Sequence, residues 1–562
     1  MKSLAKIIAL VAFMMCWETQ AQNIGNLKGQ KPVRLSGSIN ANMNFYESNR
    51  DIRSRDPFFW TLSGSPTLSI YGLTLPFNFV VSQKQQDFRQ PFNQFGVSPY
   101  YKWLTVHLGY RNLSFSQYTL NGHIFNGVGA EANPGNWRLG AMYGRLLRPI
   151  EEDTLNFNQV QPTYLRRGYS VKVGYGKSTN YVDLIVFKGW DIANSIERPV
   201  DSAAVNPQEN VALGIKARQR ILQKVTLSVD FAISGWTSNL FANGPPREDI
   251  PLAGLIDNLL EVNYSTQFLR AGKASLAFKL GQLSLKTQYE RIDPDFQTMG
   301  AYFFNNDLEN ITVSPSWSMF NRKLRIAGRV GWQRNNLFDD KNNQTNRLIN
   351  ALRVNYSASS RFSVSTSLTN FQINRRRIDL VQRDAIDSLE LEQFSNSITA
   401  NANYSFGTKV RKYTINLSAY HQSFGQNQAN ETFRDNDSRS ITPSLTLRFR
   451  NKDTKLSWRV GANYNDFQGS GISSSRIGVR ASASKKLMSD KLSLGLSGAY
   501  FSTQLDDQKG GNTLRFGSRI SLTPIEKHTL GFNANLIRRI SSNTRVSDFT
   551  EFLGSINYSY AF

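Results

Sequence analysis

The chain has 562 residues, 66 Lys plus Arg against 42 Asp plus Glu (net charge +24), one cysteine and four histidines. Aromatic residues make up 12% of it, yet mean hydropathy is negative and no apolar stretch reaches the roughly 18 residues of a spanning helix. That excludes an α-helical membrane protein and a disulfide scaffold, and suits a membrane β-barrel, in which only every second residue faces lipid.

Lys2 and Lys6 precede an apolar run, Ile7 to Met15, and Thr19-Gln20-Ala21 supplies small residues for cleavage. The run is too short to cross a bilayer, so 1–21 reads as a secretory signal peptide. The one cysteine, Cys16, lies within it. Residues 22–33 are a short N-terminal segment, and 34–562 is predicted to be one transmembrane barrel. So short a segment is no plug domain; a wide lumen must be filled by folded-in loops or by another protein.

From about residue 34 onward, alternating strands of roughly 9–14 residues recur, as expected where successive side chains point to opposite faces. In 398–406 the apolar set is Ile398, Ala400, Ala402, Tyr404 and Phe406, against Thr399, Asn401, Asn403 and Ser405. Leu456, Trp458, Val460, Ala462 and Tyr464 alternate with Ser457, Arg459, Gly461 and Asn463. No helical stripe interrupts the pattern. Asn133-Pro134-Gly135, Gly281-Gln282, Asn321-Arg322-Lys323, Asn451-Lys452-Asp453 and Ser489-Asp490-Lys491 carry turn chemistry. The intervening connections, such as 149–166, 235–271 and 373–393, are longer and polar. Short periplasmic turns and long extracellular loops are the asymmetry of bacterial outer-membrane barrels. Keeping every short turn on one side requires a turn at Tyr101-Lys102 and gives about 26 strands. Within 235–271, Leu259 to Tyr264 reads as a further strand or as an ordered loop.

The last strand places Phe552, Ile556, Tyr558, Tyr560 and Phe562 on one parity and Leu553, Ser555, Asn557, Ser559 and Ala561 on the other. Its aromatic face matches the girdle of an outer-membrane barrel. Ile556, Tyr558, Tyr560 and the terminal Phe562 also resemble the C-terminal signal of such barrels, which implies the barrel-assembly machinery as a partner during insertion.

The predicted fold class is therefore all-β, a transmembrane antiparallel up-and-down barrel. Parity places Arg138, Lys172, Lys216, Arg218, Lys279, Lys286, Arg325, Arg329, Arg353, Arg448, Arg459, Arg480, Arg515 and Arg519 on the inward face, with Asp183 and Asp230 as the main acidic residues there. A Lys or Arg facing lipid near mid-membrane costs roughly 2–4 kcal/mol, so these side chains are expected to line the lumen. A basic lumen favours anions or an acidic partner. Nucleic acid is not an expected partner, because the chain reads as exported and its charge is spread along its length.

The remaining constellations carry less. Asn374-Arg375-Arg376-Arg377 suits lipopolysaccharide phosphates, and outer-membrane lipid is itself an expected partner. Asp339-Asp340 and Asp435-Asn436-Asp437 lack calcium-loop spacing. His107, His123, His421 and His528 lack metal-ligand spacing, so neither a metal nor any other cofactor is expected. Tyr118 to His123 is weakly similar to outer-membrane phospholipases, but Phe125 stands where the nucleophilic serine belongs. No enzyme activity is expected.

The block Leu108-Gly109-Tyr110-Arg111, Phe115 to Leu120, Gly122 to Gly129 and Arg138 to Arg145, with Tyr71 to Phe77 and Arg89 to Gly96 upstream, resembles a family of large, mostly uncharacterised outer-membrane barrels of the Bacteroidota. The similarity is specific over about 65–146. It implies an outer-membrane location and supplies no substrate. Two functions fit: a porin-like channel with an anion-favouring lumen, or a structural or accessory barrel of a secretion or barrel-assembly machine, bound to another outer-membrane barrel or a lipoprotein.

Overall fold

The structure, a computed structural model, describes residues 33–562 apart from 51–54, 71–72, 84–93, 152–161, 198–204, 247–255, 257, 304, 342, 378–389, 429–436, 470, 507 and 543–546. The signal peptide, Cys16, most of the N-terminal segment and Asp435-Asn436 lie outside the described residues, as do the side chains of Arg375, Arg376 and Arg377.

Antiparallel strands form a closed barrel of 26. Its N-terminal part comprises β1 (Val33–Ser36 and Ser38–Ser48), β2 (Phe58–Gly64 and Thr67–Ile70), β3 (Leu73–Ser82), β4 (Gln94–Val97 and Tyr100–Tyr101), β5 (Leu104–Ser114), β6 (Asn121–Ala132) and β7 (Trp137–Leu147). Then come β8 (Leu165–Lys177), β9 (Asn180–Ile192), β10 (Glu209–Ile221), β11 (Val225–Thr237), β12 (Thr266–Leu280), β13 (Leu283–Ile292), β14 (Leu308–Met319), β15 (Leu324–Arg334) and β16 (Asn343–Ser357). The C-terminal part is β17 (Phe362–Arg377), β18 (Glu390–Gly407), β19 (Arg411–Gln428), β20 (Ser438–Asn451), β21 (Leu456–Gly469), β22 (Ile472–Leu487), β23 (Leu492–Leu505), β24 (Gln508–Leu522), β25 (His528–Ser541) and β26 (Phe549–Ala561).

Closure is made by the two chain ends. Ile39 of β1 is opposite both Gly64 of β2 and Tyr560 of β26, and the Phe562 amide donates to the Gly37 carbonyl at 2.9 Å. Among the described residues every ladder is thereby continued and no strand is left with an unpaired side for another chain. The terminal aromatic parity also anchors locally. Tyr558 OH is 2.8 Å from His528 Nδ1, and the Tyr560 ring lies 4.5 Å from the same imidazole. The turn at Tyr101-Lys102 is present, with Lys102 at φ +52°, and β5 starts at Leu104.

One expectation changes and one open alternative is resolved. The connections β21–β22 and β23–β24 lie at the long-loop end, yet β22 starts three residues after Gly469 and β24 three residues after Leu505, so that end is not uniformly long. Gly471, at φ +76°, supplies the left-handed residue that so tight a reversal needs. Leu259 to Tyr264 is an ordered loop and not a strand. Ile256 and Leu260 pack on the outward Val211, and the Glu261 amide donates to Glu209, which also pairs with Lys188 at 2.7 Å.

The outward face is apolar and open: Leu496 is 69% exposed, Leu184 59% and Phe516 58%. Because the side-chain period is two, the residue beside each of these points the other way. In phospholipid vesicles, Leu496→Arg should lose roughly 2–4 kcal/mol of unfolding free energy, whereas the adjacent inward Ser497→Arg should lose under about 1 kcal/mol. Urea titration followed by tryptophan fluorescence reads the difference.

Candidate functional site

On the inward face, pairing register joins residues of neighbouring strands into transverse rows. One row runs Arg138, Gly174, Asp183, Lys216, Asp230, Lys273 and Glu290 across β7 to β13. Its charges alternate in sign. Arg138 donates to both carboxylate oxygens of Asp183, at 2.7 and 2.9 Å, and the Asp183 side chain is 2% exposed. Gly174 stands between them because any Cβ there would collide with the Asp183 carboxylate. Nearby, Lys172 sits 3.7 Å from Glu131, and at the long-loop end Arg166 forks onto Asp191 at 2.7 and 2.8 Å. Guanidinium and carboxylate match as a two-pronged pair, which lets such charges be buried.

Loops from the long-loop end fold in against this row. Ser116 donates to Asp230 at 2.5 Å, Lys273 donates to Gln117 at 2.5 Å, and Lys216 donates to the Phe115 carbonyl at 3.2 Å. Tyr118 donates to Glu290 at 2.7 Å. Burial, and then the Glu290 hydrogen bond, hold the Tyr118 phenol well above its ordinary pKa, so it remains the donor. The 115–120 loop meets the β13–β14 connection: Asn121 donates to the Gly300 carbonyl at 2.9 Å and Thr298 to the Thr119 carbonyl at 3.0 Å. Met299 donates its amide to Asn210 at 3.0 Å. Phe115, Leu120, Phe125, Phe187 and Met299 share one buried cluster, and Tyr118 and Phe296 share a second. The loops thus add a dry core along β5 to β14, inside the barrel.

The wall from β15 to β25 differs. Register puts Arg325, Arg329, Arg353, Arg448, Arg459, Arg480, Arg515 and Arg519 on its inward face, where each is exposed. Among the described residues none of them has a carboxylate within ion-pair distance. Arg448 stands directly opposite Arg459, and Arg480 and Arg515 flank Ala499 in one row. Of the residues singled out on the paired side, Arg138, Lys172 and Lys216 are brought into one network, while Arg218, Lys279 and Lys286 face inward toward the short-turn end.

Sequence parity missed several inward residues. Lys273 and Glu290 complete the alternating row. Arg476 lies over the Phe501 ring at 4.1 Å and Arg515 over the same ring at 5.5 Å. Ser98, His107 and Glu131 also line up: Ser98 Oγ is 2.9 Å from His107 Nδ1, and His107 Nε2 is 3.6 Å from Glu131. The Ser98 amide is bonded to the Pro76 carbonyl, so it offers no oxyanion donor, and the trio reads as a polar brace of the β4 kink. Among the described residues no group of His, Cys, Asp and Glu could hold a metal ion.

No protein-family model matches the chain, and no curated protein matches it in sequence. Among solved structures it is similar to the FrpB iron transporter of Neisseria meningitidis (F5-1 variant), at 12% identity over 95% of this chain and 83% of that one, with a TM-score of 0.39. It is also similar to the copper transporter OprC, at 8% identity over 94% and 80%, with a TM-score of 0.40. OccK2 (OpdF) of Pseudomonas aeruginosa, solved in complex with glucuronate, is 10% identical over 94% and 98%, with a TM-score of 0.28. At these values the likeness is one of barrel fold alone. The Bacteroidota resemblance rests on its own residues.

The two walls should respond differently to loss of an arginine. Arg138→Ala strands a buried carboxylate and should destabilise the barrel by about 3–5 kcal/mol, whereas Arg480→Ala should cost under about 1 kcal/mol. Urea midpoints of the two variants in the same vesicles test this.

Proposed function

We propose that this protein is an outer-membrane, porin-like channel whose lumen favours anions. One observation carries the reading: Arg138, Lys216 and Lys273 of β7 to β12 alternate with Asp183, Asp230 and Glu290, while among the described residues Arg325, Arg329, Arg353, Arg448, Arg459, Arg480, Arg515 and Arg519 of β15 to β24 face the lumen with no carboxylate within ion-pair distance. A low-dielectric wall focuses such an uncompensated field into the aqueous space beside it. The apolar outer face, the aromatic C-terminal strand and the N-terminal export signal support the membrane location.

A second reading, an accessory barrel that holds an acidic partner protein in its lumen, is favoured by the one-sided filling. The inward loops cover β5 to β14, and the exposed arginines opposite them are left bare among the described residues. Pulldown of the native protein from a mild detergent extract separates the two readings: a stoichiometric barrel or lipoprotein supports the second.

Purified protein in planar bilayers under a salt gradient should give a reversal potential of anion-selective sign. Replacing Arg480, Arg515 and Arg519 together by Glu should move it toward cation selectivity. A wild-type channel without anion preference, or no conductance at all, contradicts the channel reading.

A further inference from the structure

The Arg448–Arg459 pairing is the least expected juxtaposition on the inner wall. Like charges directly opposite each other in a ladder destabilise it, and neither guanidinium has an acidic neighbour among the described residues. The positions that follow in the same transverse row are Ser482, Ser497 and Gly517. The next row runs Ser457, Ser484, Gly495, Arg519 and Asn533. Small residues thus make a floor, with two guanidiniums at one side and Arg519 and Asn533 at the other. The recess measures about 410 Å³. That is at the small end of the roughly 300–1,000 Å³ of ligand pockets.

We propose that this recess binds a small polyhydroxylated anion, a sugar-sized molecule bearing a phosphate or a carboxylate. The assignment rests on the anion-favouring channel reading and names the cargo class for it. Two guanidiniums on facing ladder positions offer several N–H donors to one oxyanion. Floor hydroxyls and the Asn533 amide address hydroxyl groups: the Ser457 and Ser484 hydroxyl oxygens lie 2.8 Å apart, and Asn533 donates to Ser555 at 3.1 Å, its carbonyl oxygen having no hydrogen-bond donor among the described residues. No inward aromatic ring lies in either row, so the site is not built to stack a nucleobase, and no carboxylate is there to hold a cation. The bound oxyanion relieves the repulsion between Arg448 and Arg459, which explains why the two face each other.

Isothermal titration of the full-length, detergent-solubilised protein tests this without requiring conduction. The probes are glucose 6-phosphate, gluconate, inorganic phosphate and glucose. One or both hydroxylated anions should bind at least about tenfold more tightly than phosphate or glucose. Which of them binds distinguishes the phosphate from the carboxylate source. Arg459→Gln should lose about tenfold or more in affinity and at the same time raise the unfolding temperature. Ser482→Leu, which keeps every charge and fills the floor, should also abolish binding. Equal binding of all four probes, or an Arg459→Gln variant that binds normally, overturns the proposal. Loss of thermal stability in Arg459→Gln with binding intact would make the pair structural and overturn it as well. If the sugar anion binds while the bilayers show no anion preference, the channel reading fails and the recess stands. If the bilayers show anion preference but no probe binds, the channel stands and the recess proposal fails.

Discussion

Closure of the hydrogen-bond ladder is the constraint on which the rest depends. Once β1 pairs with β26, every strand has two neighbours and one register, and a slip of one residue anywhere would exchange inner and outer faces all the way along that strand. Parity therefore becomes architecture: Leu496 points outward because Ser497 points inward, and each inward residue acquires fixed neighbours in a transverse row. The alternating row from Arg138 to Glu290 exists only because separate strands are locked at matching heights. No single strand contains it.

That row does more than neutralise charge. Its members use their remaining hydrogen-bonding capacity on loop residues Phe115, Ser116, Gln117 and Tyr118, so the same groups that balance each other hold the inward fold of the loop. Apolar side chains then seal the arrangement from water, which strengthens each polar contact inside it. Gly300 admits the second loop, since a Cβ at that position would collide with the Thr119 carbonyl. Opposite, the wall from β15 to β25 shows, among the described residues, neither the alternation nor a covering loop. One side of the lumen is a solid, self-satisfied structure and the other a bare cationic surface. The proposed function resides on the bare side.

Much of this was legible in the sequence, and the boundary is physical. A period of two is a local property, so Ile398 to Phe406 and Leu456 to Tyr464 declare strand and face by themselves, and counting turns from Phe562 back through Tyr101-Lys102 reaches the number of strands observed. Register is not local. Nothing within β12 or β13 announces that Lys273 meets Glu290, or within β20 and β21 that Arg448 meets Arg459. The inward loops were hidden for a related reason: Tyr118 and Phe296 sit in segments without periodicity, and their burial depends on groups more than a hundred residues away along the chain. Polar braces such as Ser98, His107 and Glu131 escape notice for the same cause. The tight β21–β22 reversal was missed because its Gly471 lies in a Gly/Ser run that also suits a longer loop.

The contrast between the walls can be measured without knowing what the protein carries. In a Cys16→Ser background, a single cysteine placed at inward Ser482 or Ser497 can be labelled in vesicles with small thiol reagents of opposite charge, with outward Leu496 as the control. Uncompensated positive field at the bare wall means that the anionic reagent reacts faster than the cationic one at Ser482 and Ser497, with a difference that shrinks as salt is raised. At Leu496 neither charged reagent should react appreciably. Equal rates at the two inward positions, or ready labelling at Leu496 alone, would contradict the account.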